Sequence, residues 1–111
     1  MILKEVENLF DLIHSLPKAY LHRHLEDSIR PKVVLDIAKE NNVSLPTYDL
    51  GELTSIVTIK EPKANLREFV KPLELVGCCL CNKEAIQKVA YEAIKDACLD
   101  NVKYLELQFN P

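Results

Sequence analysis

The sequence predicts an α/β protein that is mostly helical, with two short strands paired in parallel. Apolar residues recur at spacings of three and four along most of the chain, which is typical of amphipathic helices. Residues 19–24 and 102–109 have instead the length and composition of β-strands. Long helical segments separate these two strands, and parallel strands require a crossover of this kind.

The first strand is expected between two helices. Residues 2–15 show an amphipathic pattern that ends at Leu16-Pro17, because the residue before a proline disfavours helical conformation. Ala19–His24 follows as a strand, and Glu26-Asp27-Ser28 as a polar loop.

A second helix is expected to begin at Pro31, the position that proline favours, and to end at Asn41-Asn42. Residues 43–64 are expected to be irregular, since Pro46, Gly51 and Pro62 interrupt them. The inner stripe of the second helix is predicted to consist of Val33, Val34, Ile37 and Ala38.

Two capped helices are expected before the last strand. Asn65 caps the first, with Glu68 positioned to complete a capping box, and Pro72 predicts a kink or a break within it. Asn82 caps a longer helix that continues to about Leu99. Its buried stripe is predicted to consist of Ile86, Val89, Ala90, Ala93, Ile94 and Ala97.

Composition excludes several classes of function. The net charge is −3 and the basic residues are scattered, which argues against a nucleic-acid partner. The sequence contains no run of 18 or more apolar residues, so no membrane span is expected. The first residues lack the basic-then-apolar order of a secretory signal, and a cytoplasmic location is therefore expected. Hydrophobic residues make up 48% of the chain, which is enough for a core.

The cysteines are expected to be reduced and mostly buried. Three of the four lie within four residues, and the single Cys78-x-x-Cys81 pair lacks the second pair that a zinc ribbon needs. His14, on the first helix, is expected to be structural or exposed.

The spacing in Leu21-His22-Arg23-His24-Leu25 carries the strongest chemical signal. Alternate residues of a strand project to the same face, so His22 and His24 can approach one metal ion together. Imidazole suits zinc and neighbouring divalent metals. Arg23 is expected on the opposite face, as a solvent-exposed or ion-paired residue.

Several motifs follow one another in order along the chain, namely Pro17-Lys18, the segment His22-Arg23-His24-Leu25-Glu26, Ile29-Arg30-Pro31, Leu66-x-x-Phe69, Ala90-Tyr91-Glu92 and the strand from Val102 to Pro111. In this order they resemble the adenosine/adenine deaminase family. The resemblance covers residues 16–111 and predicts that residues 1–111 form an incomplete amino-terminal segment of a deaminase-type barrel domain.

The resemblance implies the amino-terminal part of a (β/α)8 TIM barrel, with the active site at the carboxyl ends of the strands. It implies zinc as the cofactor, with His22 and His24 as its first two ligands. Zinc lowers the pKa of a bound water, and the resulting hydroxide attacks the purine carbon that bears the amino group. The family's remaining ligands and its proton-shuttling glutamate would lie beyond Pro111.

The same resemblance implies the substrate-binding residues. Glu26 matches an acidic residue that is usually Asp in members acting on adenosine and Glu in adenine-type members, which slightly favours the base. Asp27 departs from the family's glycine, a residue that permits a positive φ angle and a close approach of the backbone. The aspartate adds a charge beside the pocket that the resemblance implies. The helix over the purine pocket is matched by Leu66, Phe69, Val70 and Leu73, although an ordinary amphipathic face explains them equally.

The sequence therefore favours a fragment of a zinc-dependent hydrolytic purine deaminase, converting adenosine or adenine to inosine or hypoxanthine with release of ammonia. No catalytic residue is assigned within residues 1–111, so this chain alone is expected to be inactive. Two alternatives stay open. One is a catalytically silent family member, and the other is an interaction module that self-associates through exposed strands and apolar helix faces.

Overall fold

The computed structural model describes residues 2–110, and the side chains of residues 8–110. It shows five helices, one 3₁₀ turn and two strands within this range, in agreement with the predicted α/β class. The elements are α1 (Ile2–Ser15), β1 (Lys18–His24), the 3₁₀ turn (Glu26–Ser28), α2 (Pro31–Asn41), α3 (Leu50–Val57), α4 (Leu66–Gly77), α5 (Lys83–Leu99) and β2 (Val102–Gln108).

The two strands pair in parallel, as predicted, with Lys18 opposite Val102 and His24 opposite Gln108. Backbone hydrogen bonds extend the pairing at the carboxyl end, where the Leu25 N–H donates to the Gln108 carbonyl at 2.8 Å. The helices α2 to α5 all lie in the crossover between the strands. Parallel pairing therefore places the residues that follow β1 beside the residues that follow β2.

The core is centred on α2. The predicted inner stripe of α2 is buried, and Leu35 is buried with it. On α5, Val89, Ala93 and Ala97 are buried as predicted. Ile86 and Ile94, however, are exposed, and Ala85 is buried instead. The prediction for these two isoleucines is wrong because α5 packs through a row of mostly small residues four apart, and this orientation turns both isoleucines outward.

Helix α3 was not predicted, because Gly51 and the flanking prolines indicated irregular structure. Its amino terminus is capped by Asp49, whose side chain accepts a hydrogen bond from the Glu52 N–H at 2.9 Å. The Glu52 carboxylate in turn accepts a hydrogen bond from Thr47 Oγ1 at 2.6 Å. Leu53 is fully buried, so tertiary packing outweighs the low helix propensity of Gly51.

Helix α4 begins as predicted, with the Asn65 side chain accepting a hydrogen bond from the Glu68 N–H. The helix continues through Pro72 to Gly77, so the predicted break is absent. Proline removes one backbone hydrogen bond, the one that would be accepted by the carbonyl of Glu68. Because Glu68 is exposed, water can reach this end of the helix and reduce the cost of that loss.

Large apolar side chains remain on the surface of the described part of the chain, including Phe10, Leu12, Leu21, Ile94 and Phe109. Such a surface is compatible with contact to further protein, and the expected self-association stays a prediction. None of the helices within residues 2–110 combines the length and the apolar character needed to cross a membrane.

A polar network joins the amino-terminal ends of the strands. The Tyr20 hydroxyl donates to Asp100 Oδ2 at 3.0 Å, and Lys18 Nζ lies 3.4 Å from Asp100 Oδ1. The hydrogen bond from Tyr20, together with Lys18 and His14, lowers the pKa of the Asp100 carboxyl, and the same bond raises the pKa of Tyr20. A carboxyl group whose pKa is lowered in the folded state stabilises the fold at pH values above its pKa in the unfolded state. This stabilisation is lost as the pH falls through the pKa of the folded state.

We expect Leu53→Ala to lower the free energy of unfolding by about 2–5 kcal/mol, since it leaves a cavity in the core beneath α3. The matched control is Ile56→Ala on the same helix. Ile56 is 42% exposed, so its truncation is expected to cost less than about 1 kcal/mol. Urea unfolding measures both values, and equal losses would contradict the packing of α3.

We expect Asp100→Asn to flatten the acid limb of the stability profile below about pH 4, because the lowered carboxyl pKa is then removed. Urea unfolding at a series of pH values measures this limb. Asp11→Asn on α1 serves as the control and should leave the limb unchanged. An acid limb for Asp100→Asn as steep as that of the unsubstituted chain would contradict the network.

Candidate functional site

His22 and His24 project from β1 toward the same point. Their Nε2 atoms are 3.0 Å apart, and the ring centroids are separated by 4.9 Å with the planes tilted by 52°. The predicted common face is therefore confirmed. Two nitrogens bound to one tetrahedral zinc ion at ordinary bond lengths are about 3.4 Å apart, so a small opening of this pair would admit a metal ion.

The carboxyl end of β2 supports this histidine pair. Gln108 is the register partner of His24, and its side-chain amide lies 3.4 Å from Nδ1 of His22. A contact of this kind at the ring nitrogen that does not face the metal helps to fix the orientation of a metal-binding imidazole. Among the side chains of residues 8–110, no group of three or more His, Cys, Asp or Glu residues comes together as a metal cluster. The two histidines would therefore supply only part of a coordination sphere.

Glu26 lies in the 3₁₀ turn directly after the histidine strand. Its Oε1 accepts a hydrogen bond from the backbone N–H of Asn110 at 2.9 Å, which ties the turn to the end of β2. Its Oε2 is buried and has no hydrogen-bond partner in the described part of the chain. A buried carboxylate oxygen without a donor is costly, so this atom is suited to accept a hydrogen bond from a bound ligand.

Arg23 fixes the turn that carries Glu26. Its Nε donates to Ser28 Oγ at 2.8 Å, and Ser28 Oγ donates to the His24 carbonyl at 2.6 Å. The guanidinium also lies 5.2 Å from the centroid of the Tyr20 ring. Arg23 was expected to be solvent-exposed or ion-paired, but it is part-buried and bonds to a neutral hydroxyl, so its role is structural.

A cavity of about 710 Å³ opens between this turn and α4. Three of the four predicted α4 residues, Phe69, Val70 and Leu73, line the cavity together with His24 and Glu26. Leu66 does not line it and is 75% exposed. Leu66 faces the same side of the helix as the others, but it lies one turn earlier, at the amino terminus of α4.

Asp27 lines the cavity, beside which the sequence analysis placed its charge. Sequence reasoning did not assign four other residues of this lining, namely Glu74, Gly77, Leu80 and Asn110. Glu74 follows Val70 by four residues and so faces the same side of α4, a spacing that could have revealed it. Asn110 is brought to the cavity by the strand pairing, which local sequence patterns do not show.

The backbone at Asp27 is ordinary. Positive φ angles at non-glycine residues occur only at Asn42 and Asn101 within the described chain, and Asp27 lies in a 3₁₀ turn. The aspartate therefore introduces no left-handed strain where the resembled family has glycine. Its effect on the cavity is its negative charge.

The cysteines differ in environment. Cys79 is buried, and burial together with the neighbouring Cys78 and Cys81 thiols raises its pKa to about 11. The other three, Cys78, Cys81 and Cys98, are exposed and none is disulfide-bonded. The prediction of mostly buried cysteines is therefore wrong for three of the four, because the turn between α4 and α5 and the end of α5 lie at the surface.

Comparison with known proteins identifies the family. The adenosine deaminase family model matches residues 17–111, which include the histidine strand, the turn and α4. The chain belongs to the adenosine deaminase family. It is 43% identical over its full length to a probable adenosine deaminase from Dictyostelium discoideum, and 39% identical over 104 residues to an adenosine deaminase from Vibrio vulnificus, across 94% of this chain.

Solved structures of this family confirm the fold class. The structure of an ADAL–IMP complex matches 91% of the chain with a TM-score of 0.69 and 29% identity. An Arabidopsis ADAL complexed with GMP matches the same share with a TM-score of 0.68 and 29% identity. These deaminases have the TIM-barrel fold, so the chain is an α/β portion of such a barrel.

The chain spans only a part of these relatives. It corresponds to 14% of the length of the Dictyostelium protein and 30% of the Vibrio protein. It also corresponds to 29% of each ADAL chain.

Proposed function

We propose that this chain forms the part of a hydrolytic purine deaminase that carries two zinc ligands and one wall of the purine pocket. The observation that carries this proposal is that His24 and Glu26 line one cavity, with the Oε2 atom of Glu26 unpartnered in the described chain. The Nε2 atom of His22 lies 3.0 Å from that of His24, so the imidazole pair stands at this cavity through His24. The reaction would convert adenosine or adenine to inosine or hypoxanthine and release ammonia.

The residues of the site fit a zinc ion. His22 and His24 would hold it, since both are neutral-nitrogen ligands of the type zinc favours and their Nε2 atoms converge. When bound, zinc supplies a hydroxide near neutral pH by lowering the pKa of its water. Gln108 would restrain the His22 ring from the side opposite the metal-binding nitrogen.

The cavity walls would bind and orient the purine. Phe69, Val70 and Leu73 form an apolar surface that can pack against a flat heterocycle and exclude water. Glu26 would accept a hydrogen bond from a ligand N–H or hydroxyl through its buried Oε2. Its Oε1 is already engaged by Asn110, so the carboxylate is held in one orientation.

The substrate class is proposed from the family and from Glu26 together. The curated relatives described above are named adenosine deaminases, and the ADAL structures contain IMP or GMP. Adenosine and adenine are the two substrates that the resemblance implies for a chain with an acidic residue at position 26. We assign no turnover to residues 1–111 alone, because a general acid or base must reach the reacting atom and His22 and His24 are committed to the metal.

We expect the chain to bind zinc through both histidines, so that His22→Ala and His24→Ala each weaken the affinity at least about tenfold. Isothermal titration with zinc chloride measures the affinity and the stoichiometry. The control is His14→Ala, since His14 lies near Asp100 at the other end of β1 and is not part of the pair. A loss of affinity as large in His14→Ala, or no zinc binding by the unsubstituted chain, would contradict the proposal.

A further inference from the structure

The turn between α4 and α5 carries an exposed pair of thiols. Cys78 directly follows α4, and Cys81 stands one residue before Asn82, which caps α5. Both cysteines are exposed and neither is disulfide-bonded. A zinc ribbon would need a second pair of cysteines, but two thiols at this spacing need no further residue to form a disulfide with each other.

The backbone of this turn favours such a bond. The Cys79 N–H donates to the Val76 carbonyl and the Leu80 N–H donates to the Gly77 carbonyl, each at 3.0 Å, so two consecutive turns tighten the chain directly after α4. Leu80 and Cys81 belong to neither helix. Their dihedral angles can therefore adjust until the two thiol-bearing residues reach the Cα separation of a disulfide, about 4.4–6.8 Å.

The other two cysteines do not compete for this bond. Cys79 is buried and its Sγ donates to the Val34 carbonyl at 3.7 Å. Burial raises the pKa of the Cys79 thiol to about 11, so it forms little of the reactive thiolate. Cys98 lies in the last turn of α5. A helix of that length spans about 25 Å, which puts Cys98 out of reach of the pair within one molecule.

Leu80 connects the thiol pair to the cavities. It lies between the two exposed cysteines in sequence and lines the cavity of about 710 Å³ that opens beside the histidines. It also lines a second cavity of about 540 Å³, together with Ala90 and Leu107. A bond that closes across Leu80 must change the dihedral angles of this residue, so its side chain cannot keep its place in both cavities.

We propose that Cys78 and Cys81 form a reversible disulfide by exchange with a low-molecular-weight disulfide, and that closure of this bond displaces Leu80 from the wall shared by the two cavities. The inference does not depend on the proposed function, because the exchange uses only these two thiols. It assigns a modification site to the one C-x-x-C motif in the sequence.

The exchange is balanced with glutathione disulfide as the oxidant. One thiolate of the pair attacks a glutathione sulfur, so that a mixed disulfide forms, the S–S bond of the oxidant breaks and one glutathione thiol leaves. The second thiolate of the pair then attacks the mixed disulfide, and the second glutathione leaves as its thiol. Two electrons pass from the cysteine pair to the oxidant, and the two cysteine protons end on the two glutathione thiols.

The test is to incubate the chain with defined ratios of reduced and oxidised glutathione, quench with acid and label the remaining thiols with N-ethylmaleimide in denaturant. Intact mass counts the labels, and peptide fragmentation locates them. We expect two labels on the four cysteines, at Cys79 and Cys98, with no bound glutathione. The ratio [GSH]²/[GSSG] at half-oxidation should be on the order of 1 mM or higher, the effective concentration of groups joined by a short linker.

Four labels at every ratio, or glutathione bound equally at the three exposed cysteines, would overturn the proposal. Cys78→Ser and Cys81→Ser should each abolish closure. The matched control is Cys98→Ser, which also removes one exposed thiol and should leave the half-oxidation ratio unchanged. The label count on the unsubstituted chain needs no variant and stands even where a variant fails to fold.

Amide spectra of the ¹⁵N-labelled chain, reduced and oxidised, test the displacement of Leu80. We expect shifts at Ala90 and Leu107, which share the second cavity with Leu80 but lie far from it in sequence. Tyr20, near the amino-terminal end of β1, should not shift. Closure of the disulfide without shifts at Ala90 and Leu107 would overturn the displacement. Neither result alters the proposed function, because the histidines and Glu26 take no part in the exchange.

Discussion

The parallel pairing of β1 with β2 is the constraint on which the rest of the structure depends. It joins residues more than 80 positions apart, and the hydrogen bond from Leu25 N–H to the Gln108 carbonyl closes the pair at its carboxyl end. Through this pairing Gln108 reaches His22, and Asn110 reaches Glu26. Without it the histidines would still share a face of one strand, but the cavity would lack one of its sides.

The two ends of the strand pair serve different purposes. At the amino-terminal ends, Tyr20 and Lys18 bond to Asp100 and contribute to stability. At the carboxyl ends lie the paired imidazoles and the cavity. This division matches the general rule for barrels of parallel strands, in which chemistry occurs at the carboxyl ends. The long crossover contributes α4 as the opposite wall, so the same connection that permits parallel pairing also completes the cavity.

Local signals in the sequence predicted the bounds of α2 and the starts of α4 and α5. Pro31 and Asn42 bound α2, and Asn65 and Asn82 begin α4 and α5, as expected from their own side chains and backbone preferences. The shared face of the two histidines also follows from strand geometry alone. Helix α3 was missed because Pro46, Gly51 and Pro62 indicated irregular structure, although Asp49 caps its amino terminus.

Properties that depend on tertiary packing could not be predicted in this way. The rotation of α5 that exposes Ile86 and Ile94 is set by how closely its small residues approach the core. The position of Leu66 outside the cavity depends on where α4 lies relative to the 3₁₀ turn. The presence of Asp27 and Glu74 in one lining depends on the same placement of the two elements. Spacing along the chain carries no information about these distances.

The most direct test of this account is an NMR measurement of contacts at the carboxyl ends of the strands. Nuclear Overhauser effects should connect the Hε1 protons of the His22 and His24 rings, and further effects should connect residues 24–26 with residues 108–110. Both sets are expected because the paired strands hold the rings 4.9 Å apart and place Asn110 on Glu26. Ring protons without mutual contact, together with no contact between residues 24–26 and 108–110, would contradict the central claim.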